Sequence, residues 1–200
     1  MSLTNQRNLF IYPKTKRLFD LLFSLLLFAI FFLPMVIISI LIIRTSNGPL
    51  IYWSKRIGIN NKIFKMPKFR TMLRDTPVIA SHLLNNPNKH ITPMGMFLRK
   101  YSLDELPQLW SILKGDMSFV GPRPALFNQY DLVKLRTEGN VHKIKPGITG
   151  LAQINGRDTL TIPKKVMFDI KYLKYRSFIL DLKIIIITIK KVFISSDVRH

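Results

Sequence analysis

The sequence predicts an α+β chain, mostly helical, with one Pro-broken, re-entrant membrane helix, a small β-hairpin and surface-lying amphipathic helices. Three observations carry that prediction. Residues 21–43, LLFSLLLFAIFFLPMVIISILII, hold no charge and exceed the roughly 20 apolar residues that a bilayer-crossing helix needs. Residues 52–72 mix aromatic, β-branched and turn residues in the manner of a hairpin. Beyond residue 72 the chain reads mostly as short helices between Pro- and Gly-rich breaks.

The chain divides at the end of the apolar run. Residues 1–43 form a basic segment and the membrane helix, and 44–200 form the unit that holds the candidate chemistry. Basic residues flank the run on both sides: Arg7, Lys14, Lys16 and Arg17 before it, then Arg44, Lys55, Arg56, Lys62, Lys65, Lys68, Arg70 and Arg74 after it. No acid lies between Asp20 and Asp75. Basic flanks favour the cytoplasmic side, and here both ends call for it. Pro34 removes a backbone hydrogen bond inside the run and bends a helix. A helix that enters, breaks at Pro34 and leaves on the same face satisfies both flanks. Its first arm, at about 24 Å, falls short of a crossing, and Ser39 is a candidate partner for the freed backbone. Prolines also occur in spanning helices, so a straight span is the competing arrangement.

After the membrane run comes the hairpin, ending in the extended PKFRTM (67–72). Residues 75–90 predict a short helix and a polar loop. Pro107 suits the first residue of a helix running through Leu113. KGDMSFVGPRP (114–124) reads as a loop, 125–138 as a helix, KPGITGLAQING (145–156) as turns and 163–176 as a helix. In 178–193, Ile179, Leu182, Ile186, Ile189 and Phe193 share one helical face, edged by Asp181, Lys183, Lys190 and Lys191. That face suits either lipid headgroups or the domain core.

Composition narrows the chemistry. The 200 residues hold 31 Lys+Arg against 11 Asp+Glu, a net charge of +20, with 48% hydrophobic residues. Such a chain has enough apolar residues to fold, and its charge points to polyanions: nucleic acid, an anionic membrane surface or phosphate-bearing substrates. Cysteine is absent, which rules out disulfides and Cys-based zinc sites. His82, His90, His142 and His200 show no ligand spacing.

Against this charge stands RKYSLDELPQLW (99–110), with Asp104 and Glu105 side by side. Ser102 and Glu105 match a capping box, yet a helix capped at Ser102 would carry Pro107 within its first turns. Capping and a chemical role both remain open on spacing alone. Paired carboxylates suit Mg²⁺ shared with a substrate phosphate, and a carboxylate can attack phosphorus directly. GPRP (121–124) sets Arg123 between Pro122 and Pro124, a stiff mount for bidentate phosphate binding or a plain turn. PGITG (146–150) offers two glycines for close backbone approach to a ligand, or an ordinary turn. Arg99 lies five residues ahead of Asp104, placed to neutralise a diphosphate or merely to be solvated.

KRLFDLLFSLLLF, KFRTM, FLRKYSLDELPQLWSILKGDMSFVGPRP, KPGITGLAQINGR and LDLKIII together resemble the monotopic phosphoglycosyl transferases in their minimal form. These bacterial sugar transferases begin the assembly of surface glycans, such as O-antigen and capsule, and of glycoproteins. The resemblance runs from about Lys16 to Val192. It implies transfer of a sugar phosphate from a UDP-sugar to polyprenol (undecaprenyl) phosphate, with release of UMP through a covalent aspartyl intermediate. It implies Asp104 as nucleophile and Mg²⁺ contact, Glu105 as its dyad partner, and Arg99, Arg123, Pro122, Pro124, Lys68 and Arg70 around the phosphates and nucleotide. Asp169 falls where the family carries a further acid. The implied setting is the cytoplasmic face of the bacterial inner membrane, with anionic lipids as partners; whether a homodimer forms stays open. The family's helix break often reads Ser-Pro, where this chain has Leu33-Pro34. A membrane-tethered nucleic-acid-binding module would explain the charge but not two acids inside the basic domain, which would repel a phosphate backbone. A non-enzymatic scaffold is the remaining alternative.

Overall fold

The computed structural model describes residues 3–77, 87–156 and 159–194. The segment expected as a short helix and loop (75–90) falls largely outside these, as do His82 and Asp158, although a 3₁₀ turn covers Pro87–His90.

Helix α1 (Leu3–Thr45) takes in the whole apolar run and its basic N-terminal flank, with Pro13 and Pro34 inside it. Within Tyr12–Thr45 the most apolar 18-residue stretch has a mean hydropathy of 3.1, and the helix is long and apolar enough to cross a membrane. Its most apolar stretch is only 11% buried, which sets it apart from the core helix of a soluble domain. Ser24 and Ser39 turn their hydroxyls back onto the Leu21 and Met35 carbonyls at 3.0 and 2.7 Å. Ser39 therefore serves its own turn of helix rather than the Ile30 carbonyl, which Pro34 leaves without its usual donor.

Both halves of α1 are held by the same body. Phe19, Phe23 and Leu27 pack on a core of Met66, Leu109, Ile112, Met117, Phe119, Val120, Ile144, Tyr172 and Ile184. Ile38 and Ile42, with Met35, pack on Phe69 and Leu98. Between these halves Phe28, Ile30, Phe32 and Leu33 are exposed. Polar contacts fix the first half further. Arg17 donates to the Ile112 and Leu113 carbonyls at 2.6 and 2.8 Å, satisfying groups that a helix end leaves open. Asp20 accepts from the Ser118 hydroxyl and the Phe119 N–H, each at 3.1 Å. Buried Asp181 accepts from Tyr12 (2.9 Å), Lys16 (2.6 Å) and Tyr172 (2.7 Å).

The expected hairpin forms. Strands β1 (Ile51–Ile57) and β2 (Ile63–Phe69) pair antiparallel from Ile51↔Phe69 to Ile57↔Ile63. Asn60 and Asn61 close it in left-handed conformations, at φ 53° and 58°, which Asn tolerates better than most residues. Helix α2 (Pro93–Lys100) is capped by the Thr92 hydroxyl, which accepts from Gly95 N at 3.1 Å. A 3₁₀ turn over Leu103–Gln108 then leads into α3 (Leu109–Lys114), so Pro107 lies within the turn rather than at the first position of the helix.

A second, parallel sheet was not legible as one. Strands β3 (Ser118–Val120) and β4 (Gly147–Thr149) pair within segments that read as loop and turns. The glycines of GPRP and PGITG meet here: a Cβ on Gly147 would run into Gly121 N, and one on Gly150 into Gly121 O. They let two backbones close on each other, so their service is to the loop rather than directly to a ligand. Helix α4 (Tyr130–Glu138) starts five residues later than expected, α5 (Leu151–Ile154) is a single turn, and α6 (Ile162–Tyr175) matches expectation. In α7 (Phe178–Ile194) the face with Ile179, Leu182, Ile186 and Ile189 is exposed, while Asp181 and Ile184 are buried. Asp181 thus points inward rather than edging the outer face.

Candidate active site

The acid pair hangs on an unusual local backbone. Ser102, immediately ahead of the turn, is left-handed at φ 54° and makes no side-chain cap. The Glu105 side chain does not reach back to Ser102 N. It accepts instead from Lys68 Nζ at 2.7 Å and Arg123 Nη2 at 2.9 Å. The capping-box reading therefore fails: two cations brought by tertiary structure outcompete a local hydrogen bond.

Asp104 differs from its neighbour. Its residue is 7% exposed, and its closest ion-pair approach is Lys68 Nζ to Oδ2, at 3.7 Å. Among the described residues no hydrogen bond is made to its carboxylate, whereas Glu105 holds two charged donors. Burial pushes the Asp104 carboxyl above the ordinary range. Lys68 pulls against this, Glu105 adds to it, and Arg99 and Arg123 oppose it. Arg99 is close enough to be acted on by the Asp104 charge and donates from Nε to Thr71 Oγ1 at 3.0 Å.

Arg123 stands on a fixed loop. Four successive carbonyls each take a donor. Pro122 O accepts from Gly147 N (2.9 Å) and Arg123 O from Arg136 Nη1 (2.8 Å). Pro124 O accepts from Arg56 Nη1 (3.1 Å) and Ala125 O from Ile57 N (3.0 Å). With Pro122 and Pro124 fixing φ on either side, the guanidinium projects from a preorganised mount. Burial, and then the Arg123 charge, bring the Arg56 guanidinium down to about 10, so it remains a cation at neutral pH.

The structure thus gathers Lys68, Arg99, Asp104, Glu105 and Arg123, with Pro122 and Pro124 framing the last. Two expected residues stand elsewhere. Arg70 donates to Asn47 O and Ser46 O at 2.9 and 2.7 Å, closing the end of α1 instead of facing the acid pair. Asp169 is buried and accepts from Arg136 Nε and Nη2 at 2.9 and 2.7 Å; it reaches the site only through Arg136 and the Arg123 carbonyl. Pro34 lies in the long apolar helix α1. Sequence reasoning missed Arg56 and Arg136 as parts of the site. Arg136 sits four residues after buried Leu132 on α4, and an Arg on a core-facing stripe was the available signal.

The donor set suits Mg²⁺ in one respect: Asp104 offers hard oxygens that accept no hydrogen bond among the described residues, and this ion is commonly held by one or two carboxylates plus substrate phosphate. Among the described residues there is no group of three or more His, Asp or Glu side chains that could cage a metal without substrate.

The family model for bacterial sugar transferases matches residues 11–195. The chain is 41% identical over 188 residues to the sugar transferase EpsL of Bacillus subtilis, covering 92% of this chain and 90% of that protein. It is 36% identical to the exopolysaccharide production protein ExoY of Sinorhizobium fredii, covering 90% of this chain and 86% of that one. It is 40% identical to the UDP-glucose:undecaprenyl-phosphate glucose-1-phosphate transferase of Klebsiella pneumoniae, where the match spans 91% of this chain but 41% of the longer relative. A match across nearly the whole chain, on a fold that assembles one acid pair among cations, leads to one conclusion: the chain belongs to the bacterial sugar transferase family.

Proposed function

We propose that this protein transfers a sugar phosphate from a UDP-sugar to polyprenol phosphate at the cytoplasmic face of a membrane, through a covalent intermediate on Asp104. One observation carries the reading: of two adjacent carboxylates, Glu105 is tied to two cations at 2.7 and 2.9 Å, while Asp104 has Lys68 no closer than 3.7 Å and accepts no hydrogen bond among the described residues. The names of relatives that act on UDP-glucose and undecaprenyl phosphate support the substrate classes.

In the first step an Asp104 oxygen attacks the sugar-bearing phosphorus. The bond from that phosphorus to the bridging oxygen breaks, and UMP leaves with the electron pair. In the second step a phosphate oxygen of the polyprenol acceptor attacks the same phosphorus and displaces Asp104, giving polyprenol diphosphate sugar. Attack by an anion on an anion is opposed electrostatically; Arg123, Arg99 and Lys68 offset that repulsion from a fixed frame. Glu105 holds Lys68 and Arg123 in place and keeps the cation cluster from collapsing onto the nucleophile. Mg²⁺, held by Asp104 and substrate phosphate, would neutralise further charge on the leaving oxygens.

The lipid acceptor explains the membrane helix. We read α1 as re-entrant, although it runs as one continuous helix through Pro34, because both halves pack on one body, the apolar residues between them are exposed, and both flanks are basic. The exposed apolar face of α7 and the surrounding lysines suit the headgroup layer. The test is a screen of UDP-sugars against polyprenol phosphate with the purified protein, reading UMP. UMP release with at least one UDP-sugar is expected; none with any donor, from folded protein in lipid, would overturn the reading.

A further inference from the structure

The hairpin register places one more residue at this site. On an antiparallel pair, residues directly opposite share a face and lie about 5 Å apart at Cβ. Tyr52 is opposite Lys68, Ser54 opposite Met66 and Arg56 opposite Phe64. Alternation puts all six on one face. Ser54 and Met66 are buried on it, whereas Tyr52 is 44% exposed, at its open rim. Its neighbours on this face are cations: Lys68, whose ammonium is on the acid pair, and Arg56, two pairs further along the hairpin.

We propose that the Tyr52 ring is the platform on which the nucleobase of the donor nucleotide stacks. The inference rests on the proposed use of a UDP-sugar. A nucleotide carries phosphate and a planar base on one short frame, and this face offers cations and a planar ring side by side. Direction agrees. Strand β2 packs against the turn that carries Asp104, and β1 is its outer neighbour. In-line displacement drives the leaving group away from the nucleophile, and a nucleotide that leaves past Lys68 would meet Tyr52, its partner across the hairpin. Stacking needs only a flat face, so the phenol hydroxyl is dispensable to it.

The experiment measures affinities of the full-length protein, in nanodiscs, for UMP and for inorganic pyrophosphate. Tyr52→Phe should bind UMP as the unaltered protein does. Tyr52→Ala should lose about tenfold in UMP affinity while pyrophosphate, which uses only the cations, binds unchanged. Equal UMP affinity in the Ala variant would overturn the platform, as would equal loss of UMP and pyrophosphate. Weaker partition into anionic vesicles with unchanged UMP affinity would make Tyr52 a membrane anchor instead and overturn it too. Unaltered protein that binds pyrophosphate but no UMP would sink the UDP-sugar reading itself, and the platform with it.

Discussion

Asp104 and Glu105 are chemically similar neighbours that the fold treats differently, and the difference is measurable residue by residue. Glu105→Gln leaves Lys68 and Arg123 without their shared anion, so the loosened cations turn toward Asp104. Loss of such a charged contact should lower kcat/KM by about a hundredfold in steady-state assay, with the protein still folded. Arg123→Lys keeps the charge but not the planar fork, and should cost about tenfold or more in the same assay. For Asp104 the sign of the pH effect follows from its raised pKa. The folded protein holds that proton to higher pH than the unfolded chain, whose carboxyl titrates near about 4. Its contribution to stability is therefore present below that pH and lost as pH rises through the raised value. Asp104→Asn removes this loss, so melting curves should show its Tm gaining on the unaltered protein as pH rises, where a helix cap would lose about 1 kcal/mol instead. The adjacency of the two acids was visible in the sequence. Which of them stays uncommitted was not, because Glu105's partners, Lys68 and Arg123, arrive from distant segments.

Among the elements, the loop after β3 decides how well Arg123 is aimed. Its Arg123 carbonyl hangs on Arg136, and Arg136 hangs on Asp169. Asp169→Asn leaves a buried guanidinium without its counter-ion, a kind of change that costs about 3–5 kcal/mol. Chemical denaturation should show that loss. Below the new Tm, turnover should fall mainly through a raised KM for the UDP-sugar, because Arg123 loses its aim while Asp104 is untouched. The hairpin could be read from GINN and the residues around it, since turn chemistry is local. The capping box misled for the complementary reason: S-x-x-E is a local pattern that tertiary charge overrides. The parallel β3–β4 pair has three residues a side, too short to show a period, and its glycines, whose spacing suited a ligand approach or an ordinary turn alike, bring two backbones together.

At the scale of the whole molecule, the apolar run points to a membrane and the net charge to polyanions of several kinds, but neither shows how the long helix joins the body. Arg17, Asp20 and Lys16 contact segments about a hundred or more residues away, and no local rule links them. If α1 is re-entrant, single cysteines introduced at Asn5 and Asn47 should both resist an impermeant thiol reagent in intact cells and both react once the membrane is opened; labelling of one alone in intact cells would mark a spanning helix. The chain has no cysteine of its own to confuse the result. On the proposed reading, a body held at the membrane by both halves of one helix would keep the acid pair near a lipid-borne acceptor, and a covalent step would let the nucleotide leave before that acceptor reacts. The most direct test of the covalent mechanism is intact-protein mass spectrometry after mixing with a UDP-sugar alone, without acceptor. Release of about one UMP per active site and a mass gain of one sugar phosphate at Asp104 are expected, both lost in folded Asp104→Asn. A folded Asp104→Asn protein that still gains the mass, or still turns over at the full rate, would contradict it.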